Sequence, residues 1–142
     1  MASNHTTNYQ LCQWEATDKV LRTDFNQDNQ KIDAALAAVP KIAAGTYTGN
    51  GAAARTISLP FTPQAVFLCD QAGHTAEDIS YLRNKYFYGG LALTGAPVVA
   101  GSFTLLTITE NGFTVGQYQD TEADYFYNGN ASGTVYHYLA IG

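Results

Sequence analysis

Pro40 separates two periodicities that cannot belong to one kind of element, and this break constrains the fold more than any other feature of the chain. Ahead of it, residues 23–40 (TDFNQDNQKIDAALAAVP) place Phe25, Ile32, Leu36 and Val39 at spacings of seven, four and three, which keeps one narrow stripe on a helix. Written as heptads, Phe25, Ile32 and Val39 fall at d, and Asn29 and Leu36 at a. Thr23 is the expected N-cap, Asp24 suits the first turn, and Pro40 stops the helix. The pattern fits a helix meeting copies of itself, with Asn29 setting register in the seam. It also fits an ordinary amphipathic helix docked on its own domain. A helix of about four turns is marginal alone in water, so a bundle of this length needs further contacts between chains.

The first 22 residues have no clear period. Tyr9, Leu11, Trp14, Val20 and Leu21 are scattered among polar residues, and residues 9–13 suit an extended segment. The sole tryptophan must pack on something, either a neighbouring stalk copy or a larger assembly.

Beyond Pro40, alternation replaces the helical period, and nine of the ten tyrosines and six of the seven phenylalanines lie there. Strands are expected at 42–49, 55–59, 65–69, 85–93, 103–109, 113–117, 125–127 and 134–141. Asn50-Gly51, Asn111-Gly112 and Asn128-Gly129 mark turns, and Gly89-Gly90 marks a bulge or kink. The run AVFLC (65–69) is continuously apolar, as in a buried central strand. Residues 71–84 read as a long polar loop with one helical turn around 76–82. Short strands at this spacing imply an antiparallel β-sandwich or jelly roll. The expected organisation is an extended N-terminal segment (1–22), a helical stalk (23–40) and a β head (41–142).

A net charge of −5 argues against a nucleic-acid partner, and no polybasic patch faces anionic lipid. No apolar run is long enough to span a bilayer, and MASNHTTNYQ lacks a signal-peptide core, so a soluble protein made in a cytoplasm is expected. Cys12 and Cys69, in different regions, are expected to be free thiols.

Two aromatic clusters carry the candidate chemistry. Tyr81, Tyr86 and Tyr88 form the first; Tyr118, Tyr125 and Tyr127, with Asp120, Glu122, Asn128 and Asn130, form the second. Rings stack on the apolar C–H faces of sugars, while carboxylates and amides bind hydroxyls. Strand alternation also allows these tyrosines to be core or subunit-interface residues, with Phe87 and Phe126 pointing in and the flanking tyrosines out. Asp120, Glu122 and Asp124 alternate like a calcium loop, but Tyr125 stands where glycine is needed, so no metal site is expected. The histidines have no metal-ligand spacing; His137 lies mid-strand on the face of Val135 and Leu139, where a threefold axis would gather three copies. No catalytic motif is present and no cofactor is implied; Glu77, Asp78 and Glu110 are plausible partners for hydrolysing a sugar, but paired carboxylates among twelve acids are weak evidence.

The segment NYQLCQWEATDKVLRTDFNQDNQKIDAAL, through Tyr9, Trp14, Asp18, the run 21–26, Asp28-Asn29 and Ile32-Asp33, resembles the N-terminal segment of tail-fibre and receptor-binding proteins of phages and phage-like particles from Gram-positive hosts. The match spans about a fifth of the chain. Gly45-Thr46-Tyr47, Phe61-Thr62-Pro63, Asn111-Gly112-Phe113 and the terminal 136–142 look like a head domain of similar proteins. The resemblance implies a homotrimer in the virion tail. Phe25, Asn29, Ile32, Leu36 and Val39 would form the trimer seam. Tyr9 and Trp14 would anchor the chain to tail or baseplate proteins, and the head would bind host cell-surface glycan. A purely structural tail component and a glycan-hydrolysing tail protein are the alternatives.

Overall fold

The computed structural model describes residues 1–80, 84–122 and 124–142. The chain forms two compact units, residues 1–40 and 41–142.

The first unit holds the one helix of the described residues, α1 (Arg22–Ala37). It starts two residues earlier than the expected cap at Thr23 implies. Leu21 is the N-cap and supplies no side-chain hydrogen bond, so Thr23 is not the cap. Its last turn closes at Ala38, two residues short of Pro40, which puts Val39 outside the helix. The segment before it is extended only in part, at Asn4–His5 and Cys12–Gln13. β1 (Asn4–His5) and β2 (Cys12–Gln13) pair as a small antiparallel hairpin. Asp18 ties the stretch together: one carboxylate oxygen accepts the backbone N–H groups of Ser3 and Glu15, both at 2.8 Å, and the other accepts the Ser3 hydroxyl.

The polarity of α1 is the reverse of a helix docked through its apolar stripe. Its buried residues are Asp24 and Asp28. Asp28 Oδ2 accepts the Cys12 amide at 2.8 Å, and its Oδ1 lies 3.3 Å from Lys31 Nζ. Phe25, Ile32, Leu36 and Val39 are 41–68% exposed, and Asn29 is exposed with them.

The second unit is a β-sandwich. One sheet has four antiparallel strands in the order β3 (Ile42–Thr48), β13 (Val135–Ile141), β5 (Ala65–Asp70), β8 (Gly90–Leu93). The other runs β6 (Ala76–Ile79), β7 (Asn84–Phe87), β12 (Tyr125–Asn128), β11 (Gly112–Asp120), β10 (Phe103–Thr109), β9 (Val98–Ala100), with β4 (Ala54–Ser58) also on β11. β4 pairs with Gly112–Gly116 and β12 with Gln117–Asp120, so two strands share one edge of β11 in succession.

The main core lies between the sheets. Val66, Leu68, Ala92, Tyr136 and Ala140 of the first meet Leu106, Phe113 and Val115 of the second, all fully buried. These are the alternate positions of their strands, which is how a period of two becomes a sandwich. Tyr136 extends the packing with polar bonds: its hydroxyl donates to the Asn128 carbonyl and accepts the Ala131 N–H at 3.0 Å.

Three expectations change. β7 and β12 run parallel, so the second sheet is mixed. Residues 76–79 are a strand, not a helical turn; Leu82, at the end of that expected turn, lies outside the described residues. Gly89-Gly90 is neither bulge nor kink within a strand: the chain leaves the mixed sheet at Phe87 and enters the four-stranded sheet at Gly90. The crossing passes so close to β5 that a Cβ on Gly89 would sit 2.1 Å from the Leu68 carbonyl oxygen.

Candidate functional site

The parallel pairing of β7 with β12 joins the two aromatic clusters, which the sequence treats as separate loops, into one three-stranded wing with β6. Its register assigns the faces. Glu77, Tyr86, Phe126 and Gln119 are successive cross-strand neighbours on one face. Ala76, Phe87, Tyr127 and Tyr118 form a row on the other, with Asp78, Lys85, Tyr125 and Asp120 beside it.

The first face carries an aromatic ladder. Tyr86 and Phe126 stack with centroids 4.7 Å apart, and Tyr86 and Tyr88 stack at 6.2 Å. Tyr88 donates its hydroxyl to Glu77 Oε2 at 3.3 Å. Burial, then the Glu77 carboxylate, raises the Tyr88 phenol to about 12, so it stays a donor across the physiological range. A shallow depression of about 350 Å³ runs along β6 and β7 and is lined by residues of both faces, Glu77 and Tyr86 from this one, Asp78 and Lys85 from the other. Ring surface and carboxylate on one face together suit a polyhydroxylated ligand.

The second face is mostly core. Tyr127 is only 3% exposed and packs with Leu105 and Ala100, against Phe87 and Phe103. It therefore offers a ligand no surface. Tyr118 is half exposed and stacks on Phe103 at 5.5 Å. Tyr125 is half-buried, with Lys85 Nζ 5.7 Å from its ring centroid.

Asn130 is also removed from the ligand set. It is fully buried; its amide donates to Asn50 Oδ1 at 2.6 Å and to the Ala52 carbonyl at 2.9 Å, and its Oδ1 accepts the Asn50 amide. Its role is to lock one turn to another. Asn128 is half-buried, with its carbonyl taken by Tyr136. Glu122 is exposed in the turn after β11, its N–H bound to Asp120 Oδ1 at 3.1 Å. Tyr81 lies outside the described residues.

Sequence reasoning placed Phe126 inside with Phe87. It misses because the two YFY motifs are one residue out of phase: Phe126 pairs with Tyr86, and Phe87 with Tyr127. It also left Glu77 out of the sugar-contact set. Glu77 and Asp78 are consecutive in β6 and so point to opposite faces, which does not set them across one glycosidic bond. Among the described residues no group of three or more His, Cys, Asp or Glu is placed to hold a metal ion.

In the first unit, Trp14 stacks on Phe25 at 5.1 Å, so the tryptophan meets its own helix before any partner. Tyr9 is exposed. With Leu11, Ile32, Ala35, Leu36 and Val39 it lines an apolar depression of about 190 Å³. Cys12 and Cys69 are free thiols. No helix of the described residues is long and apolar enough to cross a membrane.

Comparison with protein-family models, with curated proteins and with solved structures gave no match to this chain.

Proposed function

We propose that this chain is an attachment subunit of a phage tail or phage-like particle, working as a homotrimer whose β head binds host cell-surface glycan. The observation that carries the binding half is the Tyr88–Tyr86–Phe126 ladder with Glu77 at its side. A pyranose would lie along the ladder edge and give hydroxyl protons to Glu77. The trimer half draws on α1, whose stripe of Phe25, Ile32 and Leu36 faces solvent while its acids are buried. Three such stripes would cover one another, with Asn29 fixing register. Exposed Tyr9 would contact the tail or baseplate, and Trp14 would hold α1 and the anchoring segment together through Phe25.

A panel of host-wall polysaccharides and their fragments tests the binding half. Binding that falls at least about tenfold in Tyr86→Ala supports it. Equal binding by Tyr86→Ala and the parent, or none by either, removes it. The second reading, a structural tail component without a receptor, draws on the mutual stacking of Tyr86 and Phe126, which already covers part of both rings. Light scattering tests assembly. A mass of three chains, lost in Ile32→Asp, is the expected result, because a charge in a dry seam is costly.

A further inference from the structure

We propose that the outer face of the four-stranded sheet is a second surface through which copies of this chain pack together. The inference rests on the reading above only in taking copies to associate; it holds whether or not the head binds sugar.

The sheet is apolar on both sides. Inward, Val66, Leu68, Tyr136 and Ala140 fill the core. Outward, the register builds two rows that cross all four strands. Ala44, Leu139, Phe67 and Leu91 are successive neighbours in one. Ile42, Ile141, Ala65 and Leu93 are successive neighbours in the other. Their six large side chains are 40–66% exposed. A sheet with one wet face shows polar residues there; a sheet apolar on both faces is one that is covered twice. It also gives a reason for the continuous apolar run 65–69, in which Val66 and Leu68 are fully buried while outward Phe67 is 41% exposed.

The occupant is argued from area, charge and shape. The six side chains expose roughly 600 Å², the upper end for a monomer's largest patch and most of the ~800 Å² that each partner gives a standard interface. None of the eight positions is charged, in a chain of net charge −5. Nucleic acid or an anionic membrane would require cations here, and a basic partner would require carboxylates. Two copies of an acidic chain approach at least cost through a face that has neither. The face also carries its own knob and hole. Ala65 lies in a depression of about 540 Å³ bounded by Leu93 and Ile141, and Phe67 projects two residues along the same strand. Phe67 of one copy fills the Ala65 hollow of the next. Thr46 and His137 continue the face as a polar margin.

The test uses the full chain. Hydroxyl-radical footprinting of the unaltered protein, across concentrations set by light scattering, should show Phe67, Leu91 and Leu139 protected in the oligomer and reactive in the monomer. Tyr118, exposed to a similar degree, should react equally in both. In parallel, Phe67→Lys and Leu139→Lys should raise the oligomer's dissociation constant at least about tenfold, while Thr121→Lys in the turn after β11 leaves it unchanged. An oligomer in which Phe67, Leu91 and Leu139 label as freely as Tyr118 overturns the assignment of this face and leaves the homotrimer standing. A chain monomeric at all concentrations overturns both. Footprinting needs no substitution, so a variant that fails to fold does not blunt the test.

Discussion

The Tyr88 hydroxyl and the Glu77 carboxylate lie 3.3 Å apart, joining the end of the aromatic ladder to the nearest acid of the wing. The bond sets a titration that can be watched. Tyr88 is raised from 10.0 to about 12, first by burial and then by Glu77. In Glu77→Gln the phenol should titrate lower, toward the ordinary range, because the carboxylate's contribution is gone and burial remains. A raised phenol pKa means that the folded state holds the proton more tightly. The associated stability is therefore complete below pH 10 and disappears as pH rises through about 12. Ultraviolet titration of the tyrosines together with alkaline unfolding checks both statements.

Asp18 gives the opposite sign in the first unit. The Ser3 hydroxyl, then the Glu15 and Ser3 amides, hold its carboxyl below 3.8. Its contribution is present above pH 3.8 and is lost as pH falls through the lowered value. Acidification should therefore loosen this unit in Asp18-dependent fashion. The emission of Trp14, the only tryptophan, reports it, and Asp18→Asn should show the loosened signal already at neutral pH.

Gly89 should tolerate no side chain. A Cβ there meets the Leu68 carbonyl carbon at 2.5 Å as well as its oxygen, and backbone in a central strand cannot yield. Gly89→Ala should cost more than about 3 kcal/mol or prevent folding. Gly73→Ala is the control. It meets nothing within 4 Å but has φ +87°, so only a strain of about 1 kcal/mol is expected. Chemical denaturation of the two variants measures the difference.

Tyr136→Phe should lower stability by about 1–3 kcal/mol. The fully buried ring stays, but the part-buried Asn128 carbonyl and Ala131 amide lose the hydroxyl. The melting temperature should fall without change in the circular dichroism of the fold.

How far the residues announce this arrangement depends on the range over which each is decided. The break at Pro40 and most strands were legible, because alternation and Asn-Gly turns are local. β6 and β9 were missed: AEDI shows its acids rather than a period, and three residues are too few to show one. The helix was legible but its caps were not, since Leu21 caps without a side-chain bond. Burial of Asp24 and Asp28 was invisible because it depends on a hairpin that no pattern in residues 1–13 declares. The site was half legible. Tyr86 and Tyr88 were named from their clustering beside a polar loop. Tyr127 and Asn130 were placed wrongly because only the strand pairing, which is not local, decides which of several adjacent aromatics faces the core.

β13 lies between β3 and β5, and β3 pairs with nothing else among the described residues. A ribosome delivers β3 and β5 long before it delivers β13. Throughout that interval Tyr47, Val66 and Leu68 are made but have no central strand to gather around. The Ile42–Ile141 pairing closes nearly the whole unit in one step, a topology that folds slowly. The sandwich is therefore completed only after synthesis has passed residue 141, and the nascent chain carries its stickiest strands uncovered until then. A lower growth temperature during production, which weakens contacts between uncovered apolar strands, should increase the soluble yield, with no change to any contact in the finished protein.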